Sequence, residues 1–264
     1  MVNYYLTFDI GTLNLAYCLA CIEKSYEDIK ILDWNLLNIS STIKCEKCKK
    51  NAIYKNISNN GLCKTHYTKL DKDDKKLYKK IETKNELYKQ SDNLIPKLET
   101  LYNTLLKAYD ISEGKLLYCE NIQIFIENQP ALKNPTMKTI SVIIFTFFYS
   151  KMINNNKIIS DVKFISATTK TKPTFLKKFI GIEIIDKFNQ EMLDNKKNLK
   201  NKNVIDSKNK QLRKDLVEYT VNEIGKKINK KKYYNSYYFN YYNVNKKKDD
   251  LADAFIYVIC AFYD

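Results

Sequence analysis

A chain of 264 residues with 44% hydrophobic content has material for one full core plus an insertion, and too little length for two large domains. Its 45 Lys and Arg against 30 Asp and Glu give a formal charge of +15, carried almost wholly by lysine, with Arg213 the one arginine. No apolar run reaches the roughly 18 residues that cross a bilayer, and the start lacks the basic-then-apolar pattern of a signal peptide. The expectation is therefore a soluble intracellular protein with no membrane partner.

Residues 2–10 read as a strand with Tyr4, Leu6 and Phe8 on one face. Gly11 and Asn14 mark a turn, 15–22 run back as a second strand, and 29–39 form a third that holds Trp34. Residues 41–80 are lysine-rich and carry CEKC and CKTH; 86–109 have leucines at helical spacings. A fourth strand covers 122–127, an apolar helix 136–152, and a fifth strand 161–166. Then come a short helix near 173–179, Lys/Asn-rich sequence around 195–210, a helix over 206–228, a low-complexity Lys/Tyr/Asn stretch over 230–248, and a closing helix over 251–262. Three antiparallel strands followed by strand–helix alternation predict an α/β fold, a mixed sheet with helices on both faces. The predicted division is a catalytic domain from 1–40 and 115–264, an insertion at 41–80 and a helical connection at 81–114.

A positive field attracts phosphate backbones and makes binding salt-dependent. Lysine contacts phosphate as a point charge, whereas arginine supplies the bidentate readout of bases, so recognition of shape over sequence is expected. Coding from an A+T-rich genome accounts for abundant lysine, but not for the shortfall of acids.

Four carboxylates stand out. Asp9 interrupts an apolar strand between Phe8 and Ile10, and Glu127 ends another at FIENQP. Asp250 and Asp253 in DDLADA are three apart and share a helix face; Asp249, four from Asp253, leaves the register open. An acid before a glycine, at a strand end or in a first helical turn is also commonplace. Asp253, inside the apolar LADAFIYVI run, is harder to explain that way. Hard carboxylate oxygens suit Mg²⁺, and two such ions roughly 4 Å apart clamp the attacking and leaving oxygens of a phosphodiester.

In combination, FDIGTLNLAY at 8–17, IENQP at 126–130 and DDLADA at 249–254 resemble the poxvirus and giant-virus Holliday junction resolvases, in the RuvC branch of the RNase H-like superfamily. The resemblance covers the core strands and helices but not the insertion. It implies an RNase H-like fold, two Mg²⁺ (or Mn²⁺) ions held by Asp9, Glu127, Asp250 and Asp253, and a homodimer that nicks opposed strands of four-way DNA junctions. It further implies lysines near the scissile phosphate, for which Lys170, Lys172, Lys210 and Lys214 are candidates, and a viral replication compartment in host cytoplasm. The apolar helix, with Ile140, Ile143, Ile144, Phe147 and Phe148, is a candidate dimer surface or equally a sheet-packing helix. FDIGTLN also resembles the first phosphate loop of sugar-kinase and actin-type phosphotransferases, but no second such loop is present. A non-catalytic zinc-containing DNA-binding protein is the third reading.

Cys45-x-x-Cys48 and Cys63-x-x-His66, fourteen residues apart, have the spacing of a closed structural zinc site, and His66 is the only histidine. Cys18, Cys21, Cys119 and Cys260 fall in apolar segments and read as core. The stretch at 230–248 interleaves tyrosine with lysine, a composition that can stack on unpaired bases, but reads more simply as flexible, codon-biased filler.

Overall fold

The computed structural model describes residues 2–11, 14–39, 45–48, 50–58, 60–80, 99–105, 119–130, 134–154, 158–229 and 233–263. The chain divides into two compact units, Met1–Asn38 with Thr104–Asp264, and Ile39–Asn103.

The larger unit is built on β1 (Asn3–Ile10), β2 (Asn14–Ile22) and β3 (Lys30–Asn38), an antiparallel meander. The β1–β2 turn needs a residue without a side chain at Gly11, where a Cβ would lie 2.3 Å from the Asn14 carbonyl oxygen. The smaller unit holds β4 (Tyr54–Lys55), β5 (Gly61–Leu62), α1 (Lys64–Thr68), α2 (Lys72–Lys76) and β6 (Lys79–Lys80), its strands ordered β5-β4-β6. Residues 99–105 are helical (α3). The rest of the predicted helical connection, 81–98 and 106–114, lies outside the described residues.

The larger unit resumes with β7 (Ile122–Asn128), α4 (Pro135–Asn154) and β8 (Ile159–Ser166). Strands β7 and β8 run parallel to β1, giving a five-stranded mixed sheet in the order β3-β2-β1-β7-β8. Then follow α5 (Pro173–Leu176), α6 (Ile182–Asn198), α7 (Lys202–Asn229), α8 (Tyr233–Val244) and α9 (Lys248–Phe262). The Lys/Asn-rich stretch at 195–210 is thus mostly helical, and Asn195 and Asn209 hydrogen-bond at 3.1 Å between α6 and α7.

Helices cover both faces of the sheet. Alternation along β1 points Leu6, Phe8 and Ile10 one way and Tyr5, Thr7 and Asp9 the other. On the first face Phe8 meets Phe148 of α4, ring centroids 5.4 Å apart. On the second, Thr7 Oγ1 donates to the Ala254 carbonyl of α9 at 2.6 Å. In α9 every residue from Leu251 to Ala261 is buried except Asp253.

Among the described residues, α4 is the one helix that length and composition alone would allow to cross a bilayer, with mean hydropathy 1.2 over its best window. Counting uninterrupted apolar residues missed it, because threonines, serines and single lysines dilute the run. Its Ile140, Ile144, Phe147 and Phe148 are buried, and Ile143 is partly so. Four of the five residues considered for a dimer surface therefore lie in the core, and the exposed large apolar residues of α4 are Val142, Tyr149 and Ile153.

The low-complexity stretch is not filler. Its described part forms α8, which lies along β3. Tyr242 stacks on Trp34 with centroids 5.0 Å apart, and Phe239 meets the same indole edge-on at 5.4 Å. Buried Asn235 accepts from the Ile31 amide at 3.0 Å and donates to the Ile29 carbonyl at 2.9 Å. Positions 235, 238, 239 and 242 recur at helical spacing and supply the buried face, while Tyr237 remains 71% exposed. Most of these aromatics are committed to packing rather than free to stack on bases.

Candidate functional site

Strand register places the first two acids side by side. Phe8 pairs with Ile126 across the parallel β1–β7 ladder, so Asp9 and Glu127 are the next residues on each strand, on the face covered by α9. Both are buried, at the carboxyl end of the parallel strands, where open α/β sheets present ligand sites. Asp253 comes from α9, whose seat on the sheet is fixed by the Thr7–Ala254 bond and by Trp34 Nε1, which donates to the Leu251 carbonyl at 2.9 Å.

Lys170, from the turn after β8, joins the three. Its Nζ is 3.7 Å from Asp9 Oδ1, 3.7 Å from Glu127 Oε1, and paired still more closely with Asp253 Oδ2. Of the four candidate lysines, this one enters the acidic cluster. Lys214 pairs with Asp249. Lys172 and Lys210 are exposed and stand outside the cluster. Asp250 lies 3.8 Å from Lys247 Nζ. The four predicted acids therefore separate into an inner trio around Lys170 and an outer position shared by Asp249 and Asp250. Among the described residues, the carboxylates do not form a ready metal-ligating group of three or more, and Lys170 is paired with all three inner acids.

Three carboxylates against one ammonium leave excess negative charge in a buried pocket. Burial, together with neighbouring Glu127, pushes the Asp9 carboxyl well above the usual carboxylate range despite Lys170. Burial likewise raises Asp253, to about 6, against the pull of Lys170. Burial opposes the Lys170 charge, but Asp253, Asp9 and Glu127 together outweigh it and hold the ammonium more firmly protonated than a free lysine. In the outer pair, burial works against the charge of Asp249, but the Lys214 contact prevails and lowers it, whereas burial and the Asp249 charge raise Asp250.

Two further residues belong to the site and were not singled out in the sequence. Tyr257 donates to Glu127 Oε1 at 3.0 Å and places its ring 4.9 Å beneath Lys170 Nζ. Gln129 donates to Glu127 Oε2, which also accepts from the Ile10 amide at 3.3 Å. The signals were spacing: Tyr257 follows Asp253 by four on one helix, and Gln129 follows Glu127 by two, just past the end of β7.

The smaller unit brings Cys45, Cys48, Cys63 and His66 together, with one ligand atom of each within 4.8 Å of all the others. This Cys₃His group fits a structural zinc ion. Burial raises the Cys45 thiol, but hydrogen bonds from the backbone of Cys63 and Lys47 and from the His66 and Cys48 side chains bring it down to about 6. Cys18, Cys21, Cys119 and Cys260 are buried.

No protein-family model matches the chain. It is similar to an uncharacterised protein of Acanthamoeba polyphaga mimivirus, 24% identical over 327 aligned positions that span 95% of this chain and 72% of the relative.

Proposed function

We propose that this protein is a divalent-metal-dependent endonuclease of RNase H-like architecture that resolves four-way DNA junctions. The observation that carries this reading is the convergence of Asp9, Glu127 and Asp253, from three distant segments, on one buried point. The sheet order β3-β2-β1-β7-β8, antiparallel in its first three strands and parallel in the rest, is compatible with that architecture. The mimivirus match is compatible with a viral origin.

The donor chemistry fits magnesium or manganese: all oxygen, anionic, with more negative charge than one lysine offsets. Asp9, Glu127 and Asp253 would hold an ion, with Asp250 as a further donor. A bound ion would supply the Lewis acidity that activates water and stabilises the departing 3′ oxygen.

The remaining work falls to the chain itself. Tyr257 and Gln129 fix both oxygens of Glu127. Lys170 neutralises the acids when no ion is bound and offers its ammonium to a phosphate oxygen once they are otherwise engaged. The charge of +15 gathers DNA to the surface. A homodimer would present two such sites to the two-fold symmetric junction, giving paired nicks.

The test compares four-way junction, flap, duplex and RNA–DNA hybrid substrates with and without Mg²⁺. Junction cutting into nicked duplexes that requires the metal is expected. Asp253→Asn should lower cutting by about 10²–10³-fold, the range for losing one preorganised electrostatic contact, while junction binding persists. Undiminished cutting by that variant would remove the acids from the mechanism, and ATP hydrolysis with no nicking of any substrate would favour a phosphotransferase.

A further inference from the structure

Among its described residues from 45 to 80, the smaller unit shows no apolar centre apart from the Cys₃His group. Among the described residues its buried cluster is Cys45, Leu62 and Cys63, with Cys48, Tyr67, Leu70 and Tyr78 partly buried around them. Three of these seven are cysteines of the Cys₃His group. Its strands are two residues long and its helices five. Among the described residues of 45–80, one fully buried leucine, Leu62, and a few ring edges do not offset the entropy of ordering such a segment. Something else must hold it.

The side chains already outline what that is. Cys45 Sγ and Cys63 Sγ each lie 3.3 Å from His66 Nδ1, and Cys48 Sγ lies 3.7 Å from Cys63 Sγ. A tetrahedral zinc with ordinary Zn–S and Zn–N bonds puts sulfur–sulfur edges at about 3.8 Å and sulfur–nitrogen edges at about 3.6 Å. The backbone is shaped to suit. The Cys48 amide donates to the Cys45 carbonyl at 3.3 Å, and the His66 amide to the Cys63 carbonyl at 3.1 Å, so each C-x-x-C/H pair is bent back to aim both side chains at one point. The group is closed, with all four positions taken by protein, which leaves none for substrate.

We propose that one zinc ion, bound by the thiolates of Cys45, Cys48 and Cys63 and by Nδ1 of His66, is the core of the segment 45–80 within the smaller unit, and that this segment folds only with the ion bound. As three S–Zn bonds form, the three thiols release their protons to solvent, and the neutral imidazole donates its Nδ1 lone pair. The larger unit, with its own core of sheet and helices, does not depend on this ion.

The experiment uses the full chain, purified under reducing conditions without chelator. Elemental analysis should find one zinc per chain, and Co²⁺ exchange should give the intense visible bands of a tetrahedral thiolate site. Stripping the metal should abolish hydrogen-exchange protection across residues 45–80 while β1 and α9 stay protected, and adding Zn²⁺ should restore it. His66→Cys should keep the metal with a shifted cobalt spectrum, whereas Cys63→Ser should lose it. Native chain that arrives without stoichiometric zinc yet remains protected over 45–80 would overturn the proposal, as would iron in place of zinc. None of these readouts requires nuclease activity, so the proposal and the nuclease reading fail independently.

Discussion

Replacing Lys170 with methionine tests the electrostatics of the inner site directly. The side chain keeps most of its length and apolar stem but loses the charge. At an effective dielectric of about 20, a pair separated by 3.7 Å is worth about 4.5 kcal/mol before desolvation. Lys170 makes two such pairs and a closer one to Asp253, and only 13% of its side chain is exposed. Most of the gross attraction is cancelled by burial, so the expected net loss on removing one partner of a buried cluster is about 3–5 kcal/mol. For a unit of this size that is roughly a 10 °C fall in melting temperature. Proton uptake by Asp9 and Asp253 sets the lower end of the range. The assay is thermal and urea denaturation near neutral pH, with chelator and then with millimolar Mg²⁺ or Mn²⁺. Under the proposed reading, a divalent ion competes with the ammonium in the native chain but not in Lys170→Met. The variant should therefore recover stability with metal while the native chain gains less, and its metal affinity should be at least about tenfold higher, equivalent to about 1.4 kcal/mol. Equal stability of the two proteins in chelator, or equal gains on adding metal, would refute the arrangement.

In the metal-free protein, Asp253 has a folded pKa raised to about 6, so its contribution to stability is present below the unfolded carboxylate range and is lost as pH rises through about 6. Urea midpoints of the native chain, measured in chelator, should fall across that window more steeply than those of Asp253→Asn. Tyr242 has a buried hydroxyl that lacks a hydrogen-bond partner among the described residues. Tyr242→Phe should therefore be neutral or stabilising by about 1 kcal/mol, read from the fluorescence of stacked Trp34 during denaturation. Asp249 is engaged by Lys214, whereas Asp250 has Lys247 at 3.8 Å and a carboxyl pushed upward. Asp250→Asn should depress metal-dependent cutting more than Asp249→Asn in the same junction assay.

What could be read from the sequence depended on how local each signal was. The cysteine and histidine spacing lies within one short segment, and the structure assembles it directly. Asp9 and Glu127 were legible only in combination with DDLADA, since each acid alone is commonplace, and their adjacency follows from the Phe8–Ile126 register, which no local pattern encodes. Lys170 could not be chosen from the sequence because lysine is abundant everywhere in this chain. Only the turn after β8 brings this one among the acids. Helix α8 was misread because low complexity masked a helical repeat, Asn235, Tyr238, Phe239 and Tyr242, whose partners Ile31, Leu32 and Trp34 lie some two hundred residues away. Helix α4, expected over 136–152 and running Pro135–Asn154, was legible because its apolar residues lie close together in sequence.

Under the nuclease reading, the inner cluster also bears on how a basic protein tolerates an acidic pit at its cutting site. A bare group of three carboxylates would repel a phosphate that the overall charge attracts. Lys170 and Lys214 each sit directly on the acids, one on the trio and one on the Asp249 position, so the pit is partly neutral before any ligand arrives. Under the nuclease reading, the same ammonium groups are the nearest cations to an incoming phosphate. A phosphate that draws Lys170 away uncovers the carboxylates for a divalent ion, and an ion that engages the carboxylates frees Lys170 for phosphate. Binding of DNA and of metal would then each favour the other, as linkage demands. Lys170→Met would break that coupling: its metal affinity should be the same with and without junction DNA, whereas the native chain should bind metal more tightly when DNA is present.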